Sequence, residues 1–516
     1  MEQSIKKSTL STVVVMISTA VSRLFGFVRI AVIGAIFGAG GQADVLNAVF
    51  TIPNNLRKLM AEGALSSAFI PVLAKSIVQD TTLRRSKKIV RAILSFQLVV
   101  LVPVLLAALV FSSPLIRVIL DFQEPEKIEL AAGLFRWMIH YLLLVSISAV
   151  FMGVINAHSS FLVPAITPVL FSVAVISSVI LLHRMFGPYA MVIGVLAGGL
   201  AQILFQTPKM RSLGYRWKPD LDFRNPDFVK VMKLWLPVVA TASVYTITEQ
   251  IAIRFATALE DGSASAMSNA LVFWQLPFGI FSASITTVLF PRMSRQAGLG
   301  DTEGLRATLE YGLRYLILLL VPSAVIMSFL AKEIIAVALQ RGNFLPFNTA
   351  LTARVLIAYN LGLFSVGAFN FFQRFFYARG NYKTPLVSAL IVCVLDIVLS
   401  LILKETSLRV AGLALANSLS LTLGLFIMWF RTTRKLGGLD SRAIILTLAK
   451  TLCAVLPAAL FMWVFLRYTG DWWRGGSTAL NLAYLSIAGA GACGIILTMY
   501  RIMKIDILMN IMKREK

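Results

Sequence analysis

Long apolar runs alternate with short polar loops along almost the whole chain, from Leu10 to Tyr500. Most of these runs exceed the ~18 consecutive apolar residues that a membrane-spanning helix needs. The pattern therefore predicts an all-α integral membrane protein of about fourteen transmembrane helices. The predicted spans, numbered in chain order, cover residues 10–37, 45–72, 89–112, 131–156, 161–183, 187–206, 231–257, 266–290, 309–331, 350–377, 385–403, 409–430, 443–466 and 480–500.

Basic residues concentrate in the loops that follow even-numbered spans. Residues 75–91 and 209–233 are rich in lysine and arginine, as is the tail after residue 500, whereas residues 38–43 after span one carry no charge. Cytoplasmic loops of membrane proteins have this excess of Lys and Arg. Both termini are therefore predicted to be cytoplasmic.

The composition agrees with a membrane protein. Of the 516 residues, 58% are hydrophobic and only 14% are charged, against about 25% charged in soluble domains. A net charge of +24 would suggest a nucleic-acid partner in a soluble protein. Here the charge follows the loops, so membrane lipids and not nucleic acid are the predicted surroundings. Cys393, Cys453 and Cys493 all lie in apolar spans, so neither a disulfide framework nor a metal site is predicted.

Prolines in the two halves of the chain match at a nearly constant offset. Pro71 pairs with Pro291, Pro103 with Pro322 and Pro164 with Pro385, each about 220 residues apart. A repeat that contains six spans preserves orientation, so the halves are expected to be related by an axis along the membrane normal. The predicted division is an N-terminal lobe over residues 1–220, a C-terminal lobe over 221–435, and two further spans with a tail over 436–516.

Several cationic side chains lie deep inside the first two predicted spans. Arg23 is thirteen residues past Leu10, and Arg57 and Lys58 follow Asp44 by a similar distance. At 1.5 Å per helical residue both groups lie roughly 20 Å from the span's start. A central arginine costs about 2.5–3.5 kcal/mol on insertion scales, so such residues face protein or water. Together with Arg29 they predict a cavity for an anion, and arginine geometry suits phosphate.

Internal pairing is the alternative explanation for these charges. Glu62 lies one helical turn after Lys58 and is a candidate partner for it, and Asp44 is a candidate partner for an arginine. Either pairing still leaves a positive excess near Arg23, Arg29 and Arg57.

Further charges occur in the second half of the chain. Glu249 and Arg254, five residues apart in span seven, are expected to form a loose internal pair. Asp396, in the middle of span eleven, has no obvious partner in its own helix. Asp396 and Glu249 are therefore candidates for coupling to a cation gradient or to the membrane potential. No catalytic set, cofactor site or phosphate-binding glycine loop is recognisable, which argues against an enzyme or an ATP-driven pump.

Two segments carry a specific family resemblance. Residues 22–29 read Ser-Arg-Leu-Phe-Gly-Phe-Val-Arg, and residues 52–71 read Ile-Pro-Asn-Asn-Leu-Arg-Lys-Leu-Met-Ala-Glu-Gly-Ala-Leu-Ser-Ser-Ala-Phe-Ile-Pro. Both resemble the MurJ (MviN) family of lipid II flippases, which belongs to the multidrug/oligosaccharidyl-lipid/polysaccharide exporter superfamily. Weaker similarity continues through residues 312–314, 377–379 and 383–385.

The resemblance implies a fourteen-helix flippase with two six-helix lobes, which moves the undecaprenyl-linked peptidoglycan precursor to the outer leaflet of the bacterial inner membrane. It also implies substrate-binding roles for Arg23, Arg29, Asp44, Arg57 and Ser265, with spans thirteen and fourteen forming a groove for the lipid tail. Peptidoglycan synthesis enzymes are the protein partners expected from it.

The chain departs from the family pattern at two positions. Ile30 stands where an acidic residue commonly follows the second arginine, and Val272 stands where span eight commonly has an arginine. Arg254 is a candidate to supply that missing positive charge.

Three other functions remain open on the sequence. The first is export of another undecaprenyl-linked oligosaccharide. The second is a drug/cation antiporter, which should present carboxylates and not three arginines to its cavity. The third is a membrane enzyme acting on polyprenyl phosphates, which would need an acidic or histidine cluster near one interface.

Overall fold

The computed structural model describes residues 21–60, 64–80, 82–216, 218–470 and 478–505. In this part of the chain all regular secondary structure is helical. The helices form two compact units, the first extending to Ser265 and including Arg341–Phe344, and the second containing the remainder.

Ten helices of the described residues lie within the first unit. They are α1 (residues 21–37), α2 (Gln42–Met60), α3 (Ala64–Gln79), α4 (Arg84–Val110), α5 (Ser112–Ile119), α6 (Pro125–Met138), α7 (Tyr141–Ala157), α8 (Leu162–Phe186), α9 (Tyr189–Ser212) and α10 (Pro226–Thr257). The next helix, α11 (Ser263–Pro277), begins in this unit and continues into the second.

In the part of the chain that the structure describes, the second unit contains the rest of α11 and nine further helices. They are α12 (Ala283–Gly298), α13 (Thr302–Phe329), α14 (Ala331–Leu339), α15 (Pro346–Asn360), α16 (Leu363–Ala378), α17 (Lys383–Leu403), α18 (Val410–Leu436), α19 (Ser441–Thr469) and α20 (Thr478–Ile502). A π-helical turn, Phe278–Ser282, joins α11 to α12.

Each predicted span coincides with a helix or with a pair of consecutive helices. Among the described residues, eleven helical segments are long and apolar enough to cross a membrane, or twelve when α15 and α16, bent by 45°, count as one span. The all-helical membrane fold is thus confirmed, while the number fourteen stays a prediction. Residues 10–20 of span one lie outside the described residues, and span two covers parts of α2 and α3, between which residues 61–63 are not described.

The helix bounds repeat along the chain as the prolines do. Helix α3 begins 219 residues before α12, and the short helix α5 begins 219 residues before α14. The breaks between α6 and α7 and between α15 and α16 also correspond. Helices α5 and α14 were not predicted, because eight or nine residues are too few to span a membrane.

Close packing of α8 against α9 depends on two glycines one turn apart in α9. A Cβ atom at Gly194 would lie 2.8 Å from the Cα of Val175, and one at Gly198 would lie 2.8 Å from the ring of Phe171. Small residues at this spacing let membrane helices approach closely, since packing and not hydrophobic burial holds them together there. The contact fixes Phe171 in the wall of the cavity described below.

In the second unit, spans thirteen and fourteen pack on α13. Ala454 and Ala458 of α19 and Ala488 and Ala492 of α20 are fully buried in one cluster. The hydroxyl of Tyr500 donates to the carbonyl oxygen of Leu318 at 2.9 Å. The compact units divide the chain at residue 265, and the predicted lobe boundaries at residues 220 and 435 stay a prediction.

Candidate functional site: an arginine-lined cavity

A cavity of about 220 Å³ lies inside the first unit, lined by side chains of α1, α2, α7, α8 and α9. Its lining contains two arginines, Arg29 and Arg57, and several uncharged polar residues. The full lining is Ser22, Gly26, Arg29, Phe50, Asn54, Arg57, Tyr141, Val145, Ser148, Ala149, Met152, Pro168, Phe171, Ser172 and Gln202. Enclosed sites for drug-sized ligands measure roughly 300–1,000 Å³, so this space suits a small anionic group.

Helical periodicity brings both arginines to the cavity. In α1 the lining residues Gly26 and Arg29 follow Ser22 by four and seven residues, and in α2 Asn54 and Arg57 follow Phe50 by the same steps. Positions spaced by three, four and seven residues share one face of an α-helix. A single face of each of the two helices therefore supplies the cationic wall.

Arg29 lies among aromatic rings. Its guanidinium carbon is 5.1 Å from the ring centroid of Phe171 and 5.8 Å from that of Phe50, and Tyr141 packs on Phe171 with ring centroids 5.0 Å apart. Ring faces attract a cation but do not neutralise its charge. Within the described residues no acidic side chain pairs with Arg29, so the cavity retains a positive charge.

Arg57 is oriented by a neighbour on its own helix. Its Nε and one terminal nitrogen donate to Oδ1 of Asn54 at 3.2 and 3.0 Å. A guanidinium carries five N–H donors in a fixed planar geometry, so this contact sets the plane of the group. Two guanidinium groups on one small cavity repel each other, which an anion bound between them would relieve.

The structure does not bring Arg23 to this cavity. Arg23 is exposed on α1 and is absent from the cavity lining. It precedes Arg29 by six residues, which at 3.6 residues per turn places the two side chains on different faces of the helix. The predicted role of Arg23 in substrate binding thus stays a prediction.

Asp44 and Ser265 lie together, away from the arginines. The carboxylate of Asp44 is 2% exposed and accepts hydrogen bonds from the backbone N–H of Gly262 at 3.0 Å and of Ser265 at 2.6 Å. The side-chain amide of Asn47 donates to the hydroxyl of Ser265 at 2.9 Å. The start of α11 has free N–H groups and a positive dipole end, which stabilise a buried carboxylate.

Lys58 pairs with a residue far away in the sequence. Its ammonium lies 2.8 Å from the carboxylate of Glu249 and also donates to Oδ1 of Asn55 at 3.0 Å. Glu62, the partner suggested by the sequence, lies outside the described residues. The ion pair occupies Glu249, so this carboxylate is not available to pair with Arg254.

Arg254 is engaged near the end of α5. Its guanidinium donates to the carbonyl oxygen of Val118 and lies 3.7 Å from the carboxylate of Asp121. It is absent from the lining that contains Arg29 and Arg57. In this structure Arg254 therefore does not give that cavity the positive charge that the family commonly has at the position of Val272.

Asp396 is buried in the second unit and has two hydrogen-bond donors. Oδ2 accepts from the side-chain amide of Asn417 at 2.9 Å, and Oδ1 accepts from the hydroxyl of Ser400 at 3.3 Å. Ser400 lies one turn later in the same helix, so a partner exists there that the sequence analysis did not recognise. The residue is only 2% exposed.

Several residues of the cavity were not singled out in the sequence. Asn54 could have been found, because it precedes Arg57 by three residues and therefore shares its face. Tyr141, Phe171 and Gln202 come from three other helices, and no local pattern connects them with Arg29. Their assembly depends on packing between helices.

The helical membrane fold and the cavity lined by Arg29 and Arg57 are those of a multi-span membrane protein of the transporter type. Within the described residues no group of three or more His, Cys, Asp or Glu side chains is placed to hold a metal ion.

Comparison with known proteins agrees with that class. A family model described as lipid II flippase MurJ matches residues 33–484. The probable lipid II flippase MurJ of Borreliella burgdorferi is 33% identical over 509 residues, covering 99% of each chain. The lipid II flippase MurJ of Burkholderia cenocepacia is 30% identical, covering 79% of this chain and 81% of its own.

Solved structures show the same fold. A lipid II flippase MurJ in an inward closed conformation superimposes with a TM-score of 0.77 at 22% identity, covering 95% of this chain and 99% of that one. An inward-facing multidrug resistance MATE transporter of the MOP superfamily gives 0.65 at 14% identity, covering 81% and 94%. The chain belongs to the lipid II flippase MurJ family.

Proposed function

We propose that this protein translocates lipid II, the undecaprenyl diphosphate-linked peptidoglycan precursor, from the cytoplasmic to the outer leaflet of the bacterial inner membrane. The observation that carries the proposal is the cavity that contains both Arg29 and Arg57, in which no acidic side chain of the described residues pairs with Arg29. Family membership supports lipid II as the substrate.

The diphosphate is the part of the substrate that suits this cavity. A diphosphate cannot cross hydrocarbon unassisted, and guanidinium groups bind phosphate oxygens through two parallel hydrogen bonds. The cavity is too small for the whole headgroup, so the sugars and peptide extend beyond it while the polyprenyl chain stays in lipid. Arg23 and Ser265 belong to the proposal as further contacts of the headgroup.

Transport by alternating access requires no chemical conversion of the substrate. We propose that the protein acts as a carrier and not as an enzyme, with both termini in the cytoplasm, as its basic loops predict. The translocated precursor then serves the enzymes that synthesise the cell wall.

The test is translocation of lipid II by vesicles containing the purified chain. Arg29→Ala and Arg57→Ala should each reduce transport by about 10- to 100-fold, since a hydrogen-bonded charge contributes about 1.5–3 kcal/mol. Arg29→Lys, which keeps the charge but loses the planar donor pair, should be intermediate. Arg184→Ala removes an exposed arginine of α8 and should leave transport unchanged.

Three outcomes separate the alternatives. Full transport by both alanine variants would contradict the proposal. Equal transport of lipid II and of another undecaprenyl diphosphate-linked sugar would favour an exporter of broader substrate range. Conversion of the lipid to a new product would indicate an enzyme.

We also propose that transport is driven by a cation gradient or the membrane potential and that Asp396 takes part. It is a buried carboxylate whose oxygens accept hydrogen bonds from Asn417 and Ser400, and ionisable residues inside membrane helices mark ion and proton pathways. Asp396→Asn should abolish the dependence of transport on an imposed gradient, and unchanged dependence would exclude this role. If transport by Glu249→Gln keeps its dependence on the gradient, Glu249 is excluded as a coupling residue.

A further inference from the structure

A larger cavity, of about 580 Å³, lies elsewhere in the first unit. It is formed by the first turns of α4, the end of α9 and the loop after α9, on the face predicted to be cytoplasmic. Its lining is Lys87, Val90, Arg91, Leu94, Phe151, Thr207, Met210, Arg211, Tyr215 and Arg216. We call it the basic cavity. None of its residues lines the cavity that contains Arg29 and Arg57.

Nearby acidic side chains neutralise other cations and leave the basic cavity positive. Arg85 and Lys88 of α4 form ion pairs with Asp227 and Asp222 at 2.6 and 2.7 Å. The ammonium of Lys88 holds the pKa of Asp222 below its usual range. These pairs engage one side of α4.

Four cations remain on the cavity side. Lys87 and Arg91 are one helical turn apart on α4 and face the cavity together with Arg211 and Arg216. Within the described residues no acidic side chain pairs with any of these four. A cytoplasmic loop normally holds such charges apart in water, whereas here they converge on one concavity.

Hydrogen bonds fix the wall from which two of the cations project. The buried hydroxyl of Tyr215 donates to Ser86 at 3.1 Å and lies 3.0 Å from Nε2 of His158. Gly214 has a φ of +80°, a left-handed conformation that suits glycine. A Cβ at this position would approach the ammonium of Lys87 to 3.4 Å. A preformed site of this kind binds its ligand at low entropic cost.

The rest of the lining is apolar. Val90, Leu94, Phe151 and Met210 contribute apolar side chains to the cavity wall. A free phosphate makes no favourable contact with such an apolar surface, whereas the glycerol and upper acyl chain of a phospholipid can pack against it. Basic pockets at the cytoplasmic ends of membrane helices suit phosphate headgroups for this reason.

We propose that the basic cavity is a second anion site, separate from the transport cavity, and that it binds a phosphate group. The apolar part of its lining favours the headgroup of an anionic phospholipid over a free phosphate.

Two doubly substituted variants test the proposal. Lys87→Gln/Arg211→Gln removes two cations from the lining. Arg84→Gln/Lys218→Gln removes two exposed cations, one from α4 and one from the loop after α9, and neither residue lines the cavity. Both variants lose the same net charge, so a difference between them reports the cavity itself.

Binding is measured by native mass spectrometry on the full chain in detergent. The probes are phosphatidylglycerol, phosphatidylcholine with the same acyl chains, and inorganic phosphate. Phosphatidylglycerol should bind the control variant and the unsubstituted protein equally, and should bind the cavity variant about tenfold or more weakly. Phosphatidylcholine should not distinguish the three proteins.

The remaining outcomes decide the ligand and the site. If inorganic phosphate binds the cavity variant more weakly than the control while phosphatidylglycerol binds both equally, the anion site is supported and the lipid assignment is overturned. If no probe distinguishes the cavity variant from the charge-matched control, the proposal is wrong. The measurement does not use lipid II, so it is independent of the transport assay.

Discussion

For Asp44, a helix-capping role and a substrate-binding role predict different effects of substitution on stability and on transport. The structure places its carboxylate as the acceptor for two backbone N–H groups, of Gly262 and Ser265, in a site where Asp44 is 2% exposed. The family resemblance implies a role in substrate binding. Asp44→Ala and Asp44→Asn separate a helix-capping role from a substrate role.

The magnitude follows from the groups that lose their partner. Asp44→Ala leaves two buried donors unsatisfied, each at a cost of about 1–3 kcal/mol, so the free energy of unfolding should fall by about 2–6 kcal/mol. Asp44→Asn retains one carbonyl acceptor and should lose about half as much. The side chain of Asn47 still donates to Ser265 in both variants.

The measurement is denaturant unfolding of the purified chain in detergent. Asp301→Ala is the control, because Asp301 caps α13 through Gly304 at 2.8 Å in an exposed position. Water can replace an exposed cap, so its loss should cost only about 1 kcal/mol. Wild-type stability of Asp44→Ala would refute the capping argument. Loss of transport by a stable Asp44→Asn would establish a need for the charge.

Two further predictions concern the first unit. Exchanging the partners, Lys58→Glu with Glu249→Lys, should restore much of the stability lost in either single variant, because the 2.8 Å pair is broken by one change and reformed by both. Thermal unfolding of all three variants in detergent measures this recovery. No recovery would mean that the pair contributes nothing to stability. Gly26→Leu should block transport while preserving folding, because Gly26 lines the arginine cavity and a Cβ atom there would meet no atom within 4 Å. Gly489→Leu in α20 is the control, because the space beside Gly489 is equally open. Transport by Gly26→Leu at the control's rate would show that the cavity is not on the substrate's path.

Local sequence features predicted the helices well, for a physical reason. Apolar runs report the thickness of the membrane directly, and every predicted span corresponds to a helix or a helix pair. The short helices α5 and α14 and the π-helical turn Phe278–Ser282 were missed. Their lengths lie below what hydropathy resolves, although Pro277 marks the position of the turn.

The sequence by itself determined an all-helical membrane chain, its internal repeat, and the presence of Arg29 and Arg57 deep within apolar spans. Each of these depends on composition or on spacing along one helix. Only the tertiary structure decided that Arg29 and Arg57 share a cavity without Arg23, and that Lys58 pairs with a carboxylate 191 residues away. Those arrangements depend on which faces of different helices meet, and helix packing sets this through contacts that no local period records.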